Sequence, residues 1–197
     1  MVAALKALGG THRHEDFAAT SSVWSDPITG HYRGHELIEH APNGQGATAI
    51  LMLNILSRFD LSGLDPNGAE RAYLEAEAAK LAYDARDRFI ADPDFVTRLD
   101  HMLSDDTAAR LARLIDPDRA MDTLPKAAEA VHRDTVYLTV VDRDRLAVSL
   151  ISSTYWSFGS GIASPKFGIL FHNRGADFNL KAGHQNEVGP GKRTLHT

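Results

Sequence analysis

Asp134-Thr135-Val136-Tyr137-Leu138-Thr139-Val140-Val141-Asp142 divides this chain into two textures. A polar, helix-like segment stops at Arg133-Asp134, and from Thr135 onward alternating β-branched and aromatic residues predict a strand. Leu146 to Ile151 alternates in the same way, so Tyr137–Asp142 and Leu146–Ile151 are expected to pair across Arg143-Asp144-Arg145 as a tight hairpin. Further on, Gly159, Gly161, Gly168, Gly175 and Gly183 punctuate short strands and loops. Helices first and strands second predict an α+β fold with the joint at residue 134.

Upstream of the joint, Met1 to Leu8 reads as a helix stopped by Gly9-Gly10, and Phe17 to Ile38 as short β-prone pieces forming a hairpin around Pro27, Gly30 and Gly34. Pro42-Asn43-Gly44-Gln45-Gly46 is a loop opening onto a segment that is apolar on all sides through Leu56, which predicts a buried helix. Asn67 fits a helix cap with Glu70 three residues on. Leu74, Ala78, Leu81, Ala82, Ala85 and Phe89 then recur at helical spacing, and Pro93 ends that helix. Ser104, followed by Asp105 and Asp106, caps a third helix, and Pro117 and Pro125 bracket a connector to the joint.

Composition excludes several function classes. A chain of 197 residues fits one domain or at most two small ones. Its formal net charge of -5, with basic residues interleaved among acids, argues against nucleic-acid binding, which takes clustered Lys and Arg. With 0 cysteines there is no disulfide, thiol nucleophile or thiolate metal site, and the compartment stays open between cytoplasm and periplasm. The longest apolar run, Ala47 to Leu56, is about half of what spans a bilayer, so no membrane-spanning segment is expected. His12, His14, His31, His35 and His40 match no metal-ligand motif, and no metal or other cofactor is expected. Glu75 and Glu77 point about 200° apart on a helix and do not make a carboxylate pair. Gly159-Ser160-Gly161 lacks the strand and helix context of a phosphate loop.

Threonines open strands for propensity alone, so Thr135 has a bland reading. It also has a chemical one. A threonine hydroxyl placed at the preceding carbonyl, here that of Asp134, can take the acyl group from nitrogen to oxygen, and water then hydrolyses the ester. The freed α-amine, with an ordinary pKa of about 7.7–8.0, can then serve as base for the same hydroxyl.

Around Thr135 stand Ser152-Ser153-Thr154, Phe158-Gly159-Ser160-Gly161-Ile162, Gly168-Ile169-Leu170-Phe171-His172-Asn173-Arg174-Gly175-Ala176-Asp177-Phe178 and Gly189-Pro190-Gly191-Lys192-Arg193-Thr194-Leu195-His196-Thr197. Upstream lie Pro27-Ile28-Thr29-Gly30-His31-Tyr32-Arg33-Gly34-His35, Leu53 to Leu61, Ala78 to Arg86 and Asp92-Pro93-Asp94-Phe95-Val96. In this order and spacing they resemble the gamma-glutamyltransferase family of N-terminal-nucleophile hydrolases, over nearly the whole chain.

The resemblance implies a four-layer αββα sandwich. Residues 1–134 would correspond to the C-terminal part of the large-subunit region and 135–197 to the N-terminal part of the small, catalytic one. The chain would thus be a central fragment of the family's length. It implies autocleavage between Asp134 and Thr135, Thr135 as nucleophile, Ser153 as the hydroxyl that hydrogen-bonds it, and association of the two pieces afterwards. Asn173, Arg174 and Asp177 match the segment that grips the amino end of a gamma-glutamyl group, and Tyr155 stands where Asn is common. His196 and Thr197 fall where the family has a Ser-Ser pair contacting the substrate carboxylate. Arg174 and Ala176 depart from the usual pattern, and the Asn173-Arg174-Gly175 variant resembles an acylase-like branch; Arg174 either pairs with Asp177 or meets the ligand. The implied substrates are glutathione or related gamma-glutamyl amides, with water or an amine as acceptor. Glutaryl-like amides are the alternative, and an inactive truncated chain the competing expectation.

Overall fold

The computed structural model describes residues 1–121 and 135–196. Asp134 and Thr197, both expected at the site, and the connector from Asp122 onward lie outside the described residues. Two compact units are present. One combines Met1–Trp24 with the described residues of Ala128–Ala176, and the other combines the described residues of Ser25–Ala127 with those of Asp177–Thr197.

The second unit is mainly helical. Strands β1 (Ile28–Tyr32) and β2 (His35–Glu39) form an antiparallel hairpin around Arg33-Gly34, both with positive φ. Helix α3 (Gly46–Leu56) follows, with Ala47, Ile50, Leu51, Ile55 and Leu56 buried, as an apolar segment without a polar face requires. Leu51 and Ile55 are fully buried, each contributing about 1.5–3 kcal/mol over exposure. A Cβ at Gly30 would stand 2.7 Å from Ile50 and one at Gly46 2.4 Å from the carbonyl of His40, so both glycines allow the hairpin and α3 to approach closely.

Helix α4 (Ala69–Phe89) packs Ala78, Leu81, Ala82 and Ala85 into the same core, with Leu74 and Phe89 partly buried against it. The expected cap at Asn67 is corrected by the structure: the N-cap is Gly68. The Asn67 amide is instead captured by Asp65 Oδ1 at 3.0 Å in an Asx turn, and the Gly68 amide by the Asp65 carbonyl at 2.9 Å. The chain leaves α4 before Pro93, passes a 3-10 turn (Pro93–Phe95) and a short helix α5 (Leu99–Leu103), and enters α6 (Asp105–Ala112), whose N-cap Ser104 accepts from the Thr107 amide at 3.2 Å. Glu77 is buried within α4, paired with Lys80 and accepting from the Met121 amide at 3.1 Å.

The first unit holds helix α1 (Val2–Lys6), a short helix α2 (His14–Ala18) and the downstream strands. Phe17 therefore sits in a helix, not in the β-prone run expected there; the Arg13 amide donates to Asp16 Oδ2 at 2.7 Å, which fixes this turn. Strands β3 (Thr135–Val141) and β4 (Ala147–Ser153) pair antiparallel in full register. Asp142 closes their turn, its Oδ1 accepting from the Asp144 and Leu146 amides at 2.9 Å each. The short strands β5 (Ala163–Ser164) and β6 (Ile169–Leu170) form a further pair, and a 3-10 turn (Arg174–Asp177) follows.

Candidate active site

The β3–β4 register brings the two hydroxyls together. Pairing across seven positions sets Thr135, the first residue of β3, opposite Ser153, the last of β4. Because side chains alternate across a strand, both project from the face that also carries Tyr137 and Ser149, whose hydroxyls are bonded at 3.0 Å. Thr135 Oγ1 lies 3.1 Å from Ser153 Oγ. Ser153 Oγ also accepts from the Tyr155 amide at 2.9 Å, which orients it. A hydroxyl carries one donor and two acceptor sites, so Ser153 can hold both contacts at once. Thr135 itself is exposed.

Beyond Ser153 the backbone is strained. Tyr155 has φ 79° and Phe158 φ 60°, left-handed conformations that bulky residues rarely adopt. Gly159, at φ 53°, has no room for a side chain: a Cβ would stand 2.4 Å from the carbonyl of Phe171. Asn173 clasps this segment from the other side, its amide donating to the Thr154 carbonyl at 3.2 Å and its Oδ1 accepting from the Trp156 amide at 3.1 Å. The Arg174 guanidinium lies 5.5 Å from the centre of the buried Tyr155 ring, and Tyr155 stacks on Trp156 at 6.1 Å.

The Arg174 amide donates to His172 Nδ1 at 3.2 Å, which needs that nitrogen unprotonated. Desolvation by neighbouring groups, then the Arg174 charge, hold His172 below the ordinary histidine range, in agreement with that bond. Thr135, Ser153, Tyr155, Asn173 and Arg174 thus stand in one unit, joined through Thr154 and Trp156. Thr154 and His172 entered the sequence reading only within matched segments and without a role of their own, and Trp156 not at all.

Asp177 and His196 belong to the other unit. The Asp177 carbonyl accepts from Asn186 Nδ2 at 2.8 Å. His196 is fixed through its amide, which donates to the Asn43 carbonyl at 2.8 Å. Just before it, Thr194 and Leu195 are buried, Asn43 Nδ2 donates to the Thr194 carbonyl at 2.7 Å, and Asn186 Oδ1 accepts from the Leu195 amide at 3.0 Å. Arg193 is held by Asp92, whose Oδ2 accepts from its amide at 2.7 Å and from Nε at 3.1 Å. Burial pushes the Asp92 carboxyl up, but hydrogen bonds from the amides of Arg193 and Asp94 and from the guanidinium outweigh it and leave it below the usual carboxylate range. Among the described residues, no cluster of three or more His, Asp or Glu is placed to hold a metal ion, and no helix is long and apolar enough to cross a membrane.

This chain belongs to the gamma-glutamyltranspeptidase family, whose model matches residues 1–197. The glutathione hydrolase-like YwrD proenzyme of Bacillus subtilis (strain 168) is 36% identical over 184 residues, covering 93% of this chain and 34% of that protein. The glutathione hydrolase proenzyme of Escherichia coli (strain K12) is 34% identical over 203 residues, covering 95% of this chain and 35% of that protein. The solved cephalosporin acylase from Bacillus halodurans matches 98% of this chain with a TM-score of 0.86 and 34% identity, using 34% of its own chain. The mixed α/β fold accordingly resembles the αββα sandwich of N-terminal-nucleophile hydrolases. The chain spans about a third of the length of the curated relatives it matches.

Proposed function

We propose that this chain carries the nucleophile of a gamma-glutamyl transferase or hydrolase that matures by cleavage between Asp134 and Thr135. The observation that carries this reading is the 3.1 Å contact between Thr135 Oγ1 and Ser153 Oγ at the open end of the ribbon. Residues 1–134 and 135–197 are then parts of a large and a small subunit that stay associated. Once freed, the Thr135 amine accepts the proton of its own hydroxyl as the oxygen attacks the amide carbonyl. The amine then passes that proton to the leaving nitrogen, and water or an acceptor amine takes the acyl group from the ester. Ser153 holds the nucleophile in line, and Asn173, Arg174 and Asp177 hold the acyl chain. Glutathione and related gamma-glutamyl amides are the substrate class, a choice supported by the names of the two curated relatives, both proenzymes.

One observation favours a second reading. A guanidinium stands beside Tyr155 in the segment expected to grip an ammonium, and like charges repel in a poorly solvated cleft. Glutaryl-like amides, which lack that ammonium, suit Arg174 better, and one matched structure is a cephalosporin acylase.

Intact-mass measurement of the complete protein tests the reading. Cleavage is expected to yield two fragments with a new N-terminus at Thr135, and Thr135→Ala to remain a single species with turnover reduced by about 10³-fold or more. An unchanged mass for the unaltered protein after prolonged incubation defeats it. Rates on matched gamma-glutamyl and glutaryl anilides then decide between the two substrate classes.

A further inference from the structure

The Asp92 carboxylate is buried, with its side chain 4% exposed, just before the 3-10 turn that follows α4 and far from the β3–β4 ribbon in sequence. A buried charge is costly unless it is paired and hydrogen-bonded, and among the described residues the contacts that satisfy this one lead to two places. One is local: Oδ1 accepts from the Asp94 amide at 3.2 Å and caps the 3-10 turn. The other is 101 residues away, where Oδ2 takes both the backbone amide and the Nε of Arg193.

Arg193 opens a strap of four residues without regular secondary structure, and each of them is tied by its backbone. The Arg193 amide goes to Asp92, the Thr194 carbonyl to Asn43 Nδ2, the Leu195 amide to Asn186 Oδ1 and the His196 amide to the Asn43 carbonyl. Leu195 is also part of the hydrophobic core. Irregular chain is ordered at an entropic cost, so four anchors in succession hold the strap to one path. That path carries His196, a residue assigned above by resemblance to the substrate carboxylate.

We infer that Asp92 is a positioning residue for substrate binding: by holding Arg193 it fixes the strap that presents His196. This rests on the proposed function for the role of His196, while the strap geometry stands by itself. Asp92 touches no reacting atom and acts only through Arg193. Loss of the clamp therefore weakens capture of the donor and leaves the acyl-transfer step at Thr135 unchanged, so it raises KM and spares kcat.

The test uses the complete protein with Asp92→Asn, which keeps the shape and loses the charge, and Arg193→Ala, which removes a half-exposed side chain with little risk to folding. KM for a donor with a free carboxylate is expected to rise about tenfold in Asp92→Asn, with kcat within about twofold, and to change by less than about twofold for the methyl ester of the same donor. Arg193→Ala moves the same way to a smaller degree. Hydrogen exchange at the amides of Leu195 and His196 is expected to quicken by about tenfold in Asp92→Asn. Equal losses on both donors, a fall in kcat alone, or unchanged exchange overturns the inference. Should the unaltered protein turn over neither donor, the proposed function fails, and exchange decides whether Asp92 holds the strap.

Discussion

Helix α3 and the β3–β4 ribbon are both rich in large apolar side chains, but they dispose of them differently. Leu51 and Ile55 of α3 are fully buried, whereas Val136, Leu138, Val140 and Ile151 of the ribbon stay between 42% and 66% exposed. A segment apolar on every side can only be stable inside a core, so its sequence states its burial as well as its helix. Alternation states that a segment is a strand and leaves open what covers each face. The helical unit is thus held by its own core, while the ribbon is held by its ladder, its Asp142 turn and a few polar rungs. The end of the ribbon that carries Thr135 and Ser153, the proposed nucleophile and its partner, belongs to the less buried of the two.

The difference is measurable. Leu51→Ala should cost about 2–5 kcal/mol in urea unfolding followed by circular dichroism, because α4 and its neighbours close on that side chain. A smaller effect concerns acid. Asp92 has its folded pKa below the ordinary carboxylate value, so the stability it contributes is complete above about pH 4 and is lost as pH falls through the lower folded value. The stability gap between the unaltered protein and Asp92→Asn should therefore narrow from pH 6 towards pH 3 in matched urea titrations. Leu138→Ala in the ribbon should give the smallest change, under about 1 kcal/mol. A loss as large as that of Leu51→Ala would show that the ribbon is covered in solution and would erase the contrast.

Much of this was legible in the sequence. The stripe from Leu74 to Phe89, the stop before Pro93, the Ser104 cap and the hairpin around Asp144 all follow from local rules, and the structure carries each of them. The same hairpin register, once predicted, brings Thr135 to Ser153. What escaped the reading depends on partners distant in the chain or on competition between neighbours. Glu77 shares the helical face of Leu74, Ala78 and Leu81, and what makes its burial tolerable is Lys80 together with the Met121 amide, 44 positions on. The bond from Arg193 to Asp92 likewise joins positions that no periodicity relates. At the start of α4, Asp65 outcompeted the expected cap by taking the Asn67 amide first. Around Tyr155 the left-handed backbone is imposed by the clasp from Asn173, which no propensity scale anticipates.

The make-up of the two compact units has a consequence for maturation. Met1–Trp24 shares its unit with β3 and β4, and β1, β2 and the α3–α4 core share theirs with the strap that carries His196. A backbone break before Thr135 therefore leaves each unit built from parts of both products. Separating the products would mean unravelling both units, so the proposed cut can liberate an amine without surrendering the architecture that aims it.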